Sequence, residues 1–210
     1  MKLFLLLLSL ALLGASYAQF SATAQAEILK VHNDLRSQVA KGTFKAQGKL
    51  LPGASDMMQM YWSAQLATSA QAFVNTCPDE PSGKENYGET SYYTWSETKP
   101  TNLNVYGKEA ALAWKGEFEA FDFHNLYDQE TADAGPGDNY QMIWSRSYQV
   151  GCGVKNCGPD PNTFSNSYKI IVICQYLDKG NTLDSNVYEE GYFCDNCPGF
   201  QCDRKAGLCQ

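Results

Sequence analysis

The sequence predicts a layered α+β fold carrying a small cysteine-rich extension at its C-terminal end. Three observations predict it. Three segments in the first two thirds of the chain repeat apolar side chains at helical spacing. Two β-branched runs follow late in the chain, without strict βαβ alternation. The last 25 residues hold four of the eight cysteines and few apolar side chains, so they cannot build a core and must be held by bridges.

Residues 1–18 read as a secretory signal peptide. Lys2 gives a positive start, residues 3–13 are almost wholly apolar, and Ser16-Tyr17-Ala18 places small residues at the −3 and −1 positions of a cleavage site. The apolar run is too short for a stable membrane anchor. Cleavage after Ala18 leaves Gln19 first and a soluble, secreted chain of about 190 residues, enough for one domain and an appendage. The formal net charge is −7, and loss of Lys2 makes it −8. An acidic chain with no basic cluster argues against nucleic acid or an anionic membrane as partner. No Asn-x-Ser/Thr acceptor is present.

The elements follow in order. Residues 23–41 read as a helix with Ala26, Ile28, Leu29, Val31, Leu35 and Val39 in its apolar stripe, stopped by Gly42. Residues 43–55 read as a polar loop. Residues 63–77 form a second helix, with Leu66, Ala70, Phe73 and Val74 inward and Pro78 beyond its end. Residues 78–104 read as a loop rich in Gly, Ser, Thr, Tyr and Pro, and residues 105–123 as a third helix. Residues 127–139 are a polar turn region, and residues 140–144 a helical turn or the start of a strand. Residues 148–154 and 168–176 are the clearest strands, the second apolar enough for a central position. Gly180-Asn181 closes the main domain, taken as residues 19–182, and residues 183–210 form the tail. An even cysteine count in a secreted chain predicts four disulfides, although Cys194-x-x-Cys197 also has metal-ligand spacing.

Seven separated segments resemble, in order, the signatures of the CAP superfamily of cysteine-rich secretory, antigen 5 and pathogenesis-related proteins. His32-Asn33-Asp34-Leu35-Arg36 resembles HNxxR, and Met60-Tyr61-Trp62-Ser63-Ala64-Gln65-Leu66-Ala67 resembles M-x-W-x-x-x-L-A. Glu85-Asn86 resembles the end of GEN, and Trp114-Lys115-Gly116-Glu117 resembles W-x-x-E. Tyr140-Gln141-Met142-Ile143-Trp144 resembles the end of HYTQxVW, Val150-Gly151-Cys152-Gly153-Val154 the strand after it, and Cys174-Gln175-Tyr176 with Gly180-Asn181 the pattern CxYxxxGN. The layout of cysteines is most similar to nematode secreted members, of venom allergen-like type. The resemblance implies an α-β-α sandwich around a central antiparallel sheet. It also implies the bridges Cys77–Cys157 and Cys152–Cys174, with Cys194–Cys202 and Cys197–Cys209 as the pairing expected in a hinge-type tail.

The family's cavity gathers two histidines and two glutamates, which bind zinc or another divalent ion in many members. The resemblance puts Glu85 and Glu117 at the glutamate places, but Pro81 and Asp138 at the histidine places, and Lys84 where GEN has glycine. Imidazole suits zinc, whereas an all-carboxylate set suits calcium, magnesium or manganese. No zinc cofactor is therefore expected, and Glu85, Glu117 and Asp138 are weak candidates for a hard divalent cation. His32 is read as a packing residue. His124, seven positions after Glu117, is weighed as a substitute ligand on the same helix face. A protease-like hydrolase would need a base beside its nucleophile, and with both cavity histidines missing a non-enzymatic role is expected. Two such roles follow. Similar members carry a sterol or a fatty acid near the region matching residues 118–139, where Phe118, Phe121, Phe123, Leu126 and Tyr127 supply apolar surface. Alternatively the tail and the aromatic-rich segment 87–95 contact an extracellular receptor.

Overall fold

The computed structural model describes residues 20–133, 136–199 and 201–210. The signal-peptide reading falls on residues outside this set. In chain order the elements are α1 (Ala22–Ala40), β1 (Lys45–Ala46), β2 (Lys49–Leu50), β3 (Tyr61–Trp62), α2 (Ala64–Val74), β4 (Gly88–Ser96), α3 (Val105–Ala120), β5 (Leu126–Tyr127) and α4 (Gln129–Asp133). A 3-10 helix (Gly137–Met142) follows, then β6 (Gln149–Pro159), β7 (Tyr168–Leu177), β8 (Ser185–Asn186), β9 (Cys202–Asp203) and β10 (Leu208–Cys209).

The helices α1 and α2 start on hydroxyl caps. Ser21 Oγ accepts from the Ala24 amide and Ser63 Oγ from the Leu66 amide, each satisfying an end donor that has no helical partner. At the other end of α1, Gly42 takes φ +65°, the left-handed conformation that ends a helix at little cost to glycine. The central sheet runs β3-β6-β7-β4. Its three long strands are antiparallel, and the two-residue β3 joins the β6 edge in parallel, so the sheet as a whole is mixed.

Three layers result. Ile171 and Ile173 face Ala70 and Val74 of α2 on one side. Val150, Cys152, Val172 and Tyr176 face the core shared with Ile28 and Leu35 of α1 and with Ala110, Trp114 and Phe118 of α3 on the other. The helix α2 lies almost on β6. A Cβ at Gly151 would stand 2.2 Å from the Ala67 nitrogen, and one at Gly153 would stand 2.6 Å from the Gln71 backbone. One bridge pins this contact, Cys77–Cys157 from the end of α2 to β6, while Cys152–Cys174 ties β6 to β7 on the other face. In the tail the pairs are Cys194–Cys202 and Cys197–Cys209.

Three sequence readings change. The segment 78–104 is not all loop, because residues 88–96 pair along their whole length with β7, from Gly88 opposite Tyr176 to Ser96 opposite Tyr168. Tyr, Thr and Trp favour a pleated strand, and the polar residues among them suit an edge position. The third helix ends at Ala120, with Phe121 already extended (φ −105°, ψ 156°). Of the two readings of residues 140–144, the helical turn holds, since they begin inside the 3-10 helix. The tail is more than an appendage: Val187, Tyr188 and Leu208 belong to the main core.

Candidate functional site

The HNxxR segment folds as the middle of α1, and its three polar side chains stitch that helix to the rest of the domain. His32 is wholly buried. Its Nδ1 meets the Ile28 carbonyl at 2.9 Å and its Nε2 the Tyr176 hydroxyl at 3.0 Å, which in turn lies 3.1 Å from Thr90 Oγ1. Burial, reinforced by nearby Arg36, lowers the imidazole to about 4 despite the Ile28 contact. Asn33 donates to the Met60 carbonyl and accepts from the Met60 amide. Arg36, also wholly buried, donates to the carbonyls of Met58, Met142, Trp144 and Ser145 at 2.7–3.1 Å. Burial lowers the guanidinium to about 9, opposed by the charge of buried Asp56. These residues are structural, as expected for His32.

Two adjoining hollows lie beside the edge strand β4. One, of about 340 Å³, is bordered by Pro81, Lys84, Glu89, Asp138, Gln141 and Lys179 among others. Its neighbour, of about 310 Å³, takes in Pro81, Ser91, Glu117, Asp138 and Asn139. Pro81 and Asp138 border both. The start of β4 sets this geometry: a Cβ at Gly88 would fall 2.0 Å from Gln141 Oε1, so glycine lets the Gln141 amide lie against the strand. The same Oε1 accepts from the Gly180 amide.

Glu117, Asp138 and Pro81 thus meet around one cleft. Glu85 does not join them. It stays exposed in the turn before β4 and borders neither hollow. The glutamate that reaches the cleft is Glu89. Gly88-Glu89 repeats the Gly-Glu order of GEN and opens a strand, a signal in the sequence that the nearer Glu85-Asn86 match obscured. Glu89 is held by the Ser82 amide at 2.9 Å, Ser82 Oγ at 2.8 Å and Gln175 Nε2 at 3.0 Å. Glu117 accepts from Asn139 Nδ2 at 2.5 Å, and its carboxyl is raised by burial, the Asn139 bond opposing. Asp138 is exposed at the rim, but the walls of the cleft and the charge of Glu89 raise its carboxyl.

A zinc ion does not fit these residues. No imidazole reaches the cleft: His32 is buried in α1, and His124 is exposed beyond the end of α3, so helical spacing no longer relates it to Glu117. The carboxylates of Glu89 and Glu117 are already engaged by amide and hydroxyl donors. Among the described residues, the group of three potential ligands with donor atoms mutually within 4.8 Å is Cys194, Cys197 and Cys209, all oxidised.

The apolar candidates divide. Phe118 and Tyr127 are buried and Phe123 is half-buried. Phe118, Phe123 and Tyr127 each contact Tyr140, at ring-centroid distances of 5.3–5.6 Å, and Phe123 also stacks on Tyr188. Phe121 and Leu126 remain exposed.

Residues 29–176 match the model of the family described as "CAP: Cysteine-rich secretory protein family". Cysteine-rich secretory protein 2 of Homo sapiens is 32% identical over 193 residues, covering 88% of this chain and 68% of its own. Among solved structures, NaASP2 with Zn2+ superposes with a TM-score of 0.79 at 27% identity, covering 91% of this chain and 97% of that one. BmVAL-1 gives a TM-score of 0.77 at 28% identity, covering 90% and 95%. With its three layers, its stitched first helix and a cleft beside β4 at the places the resemblance marks, this chain belongs to the CAP family.

Proposed function

We propose that the chain is a secreted, non-enzymatic interaction protein that acts on an extracellular receptor. The observation that carries this reading is Phe164, wholly exposed on the loop between β6 and β7. That loop is fixed by its own side chains. The Asp160 carboxylate accepts from the Asn162 amide and side chain and from Trp95 Nε1. Thr163 Oγ1 accepts from the Ser167 amide. Trp95 itself is 47% exposed. Aromatic side chains held in water on a stiff loop lose little freedom on binding and supply large contact area. The residues 87–95 foreseen as a contact loop therefore contribute Trp95 from the end of a strand. In support of secretion, relatives include proteins named as secretory, and no helix among the described residues is long and apolar enough to cross a membrane.

The test is cell-surface binding of labelled protein. Saturable binding, competed by unlabelled protein, is expected to weaken at least about tenfold in the Trp95→Ser, Phe164→Ser double variant, the loss typical of removing central aromatic anchors. Unchanged binding by a folded double variant rejects the reading.

A hydrolase is the alternative. The cleft does hold a hydroxyl on a carboxylate, Ser82 on Glu89, but it lacks an imidazole base. Peptide and ester panels test this directly, and turnover abolished by Glu117→Ala or Glu89→Ala would establish it. Carriage of a sterol or fatty acid is a second binding reading, supported by exposed Phe121 and Leu126 beside the aromatic cluster. No saturable binding of labelled cholesterol or palmitate would reject it.

A further inference from the structure

We propose that the tail is a thiol–disulfide exchange site, in which an external small thiol of the glutathione class opens the outer bridge and the released sulfur shifts onto the inner one. The geometry has two parts. The Sγ atoms of Cys194, Cys197 and Cys209 lie mutually within 4.8 Å, so the sulfurs of two separate bridges face one another. Cys202 does not join that group, although it is bonded to Cys194. The bridges also differ in access: Cys194 and Cys202 are half-buried, whereas Cys197 and Cys209 are buried. A thiol in solution meets the outer bridge first.

The exchange balances without an added oxidant. The external thiolate attacks Cys202 Sγ. Its bond to Cys202 forms, the Cys194–Cys202 bond breaks, and the electron pair leaves on Cys194. The Cys194 thiolate attacks Cys197 Sγ, forming Cys194–Cys197 and breaking Cys197–Cys209. The pair, with a proton from solvent, ends on Cys209. Two disulfides exist before and after, one now shared with the external thiol. The product frees the residue that pins the end of the chain, because Cys209 donates its amide to the Met57 carbonyl and accepts from the Gln59 amide.

The test treats the native protein with limiting glutathione at mildly alkaline pH, quenches with acid, alkylates free thiols and maps the peptides. Expected are an alkylated Cys209, glutathione on Cys202 and a Cys194–Cys197 cross-link. A free Cys194 with Cys197–Cys209 intact overturns the proposal. Two variants give a second reading in the absence of glutathione. Cys202→Ser leaves a thiol within the sulfur group and should yield free Cys209. Cys194→Ser leaves its thiol on Cys202, outside the group, and should keep Cys197–Cys209. An intact inner bridge in both variants also overturns it, and should neither variant fold, the glutathione map of the native chain decides.

Discussion

His32 and Arg36 show how a buried polar side chain becomes part of a frame. An imidazole lowered from 6.5 to about 4 is neutral when folded, while the unfolded chain protonates it near 6.5. Its contribution is fully present above pH 6.5 and is lost as pH falls toward 4, up to about 3 kcal/mol. Raised carboxyls act with the opposite sign: Glu117 and Asp138 favour the folded state below their ordinary range and lose that contribution as pH rises. Urea unfolding between pH 7 and 4.5 should therefore show falling stability, and His32→Gln should flatten that slope. A slope unchanged in the variant would show that other groups carry it. For Arg36 the expected cost is larger. Arg36→Met removes the guanidinium from four carbonyls, of which Trp144 and Ser145 keep a backbone amide donor, and leaves buried Asp56 with only exposed Arg146 as countercharge. Loss of at least about 3 kcal/mol is expected in chemical denaturation.

At the scale of elements, close approach decides more than propensity. Where β6 runs under α2, Gly151→Ala would put a methyl 2.2 Å from a backbone nitrogen, which cannot move aside without shifting the helix. Expression in soluble form should fall sharply, or the unfolding free energy should drop by several kcal/mol. Gly116→Ala is the control. It lies within α3 with nothing within 4 Å of the added Cβ, so up to about 1 kcal/mol of stabilisation is expected in the same assay. Both glycines stand in matched motifs, yet only geometry separates them. The same limit governed β4. Its tyrosines, threonines and tryptophan were visible, but their pairing partner lies about eighty residues on in the chain, beyond any local pattern. For that reason the motif spelling points to Glu85, whereas the strand turns Glu89 toward the cleft. The helices were legible because their apolar stripes and the Gly42 and Pro78 that follow the first two are local. The bridges were not legible from spacing alone, since eight cysteines permit on the order of a hundred pairings.

For the whole molecule, the question is whether the tail is an appendage or part of the core. Its composition is poor in apolar residues, which predicts an appendage, but composition averages over the few side chains that matter. Tyr188 is wholly buried, stacks on Phe123 at 5.8 Å and donates its hydroxyl to the Pro52 carbonyl. Its backbone carbonyl and amide pair with the Asn125 side chain. Val187 and Leu208 are buried beside it in the same core. Removing residues 186–210 would thus open the main domain rather than trim it, and it cannot isolate a tail-borne interface. Single substitutions separate the two. Tyr188→Ala removes a buried ring and should cost about 3–5 kcal/mol, lowering Tm by roughly 10 °C for a chain of this size. Tyr192→Ala alters a side chain that is 63% exposed and should move Tm by no more than about 2 °C. Equal shifts in a thermal scan would mean the tail is held only by its bridges; unequal shifts of this size mean the fold continues through residue 188 and closes on Leu208.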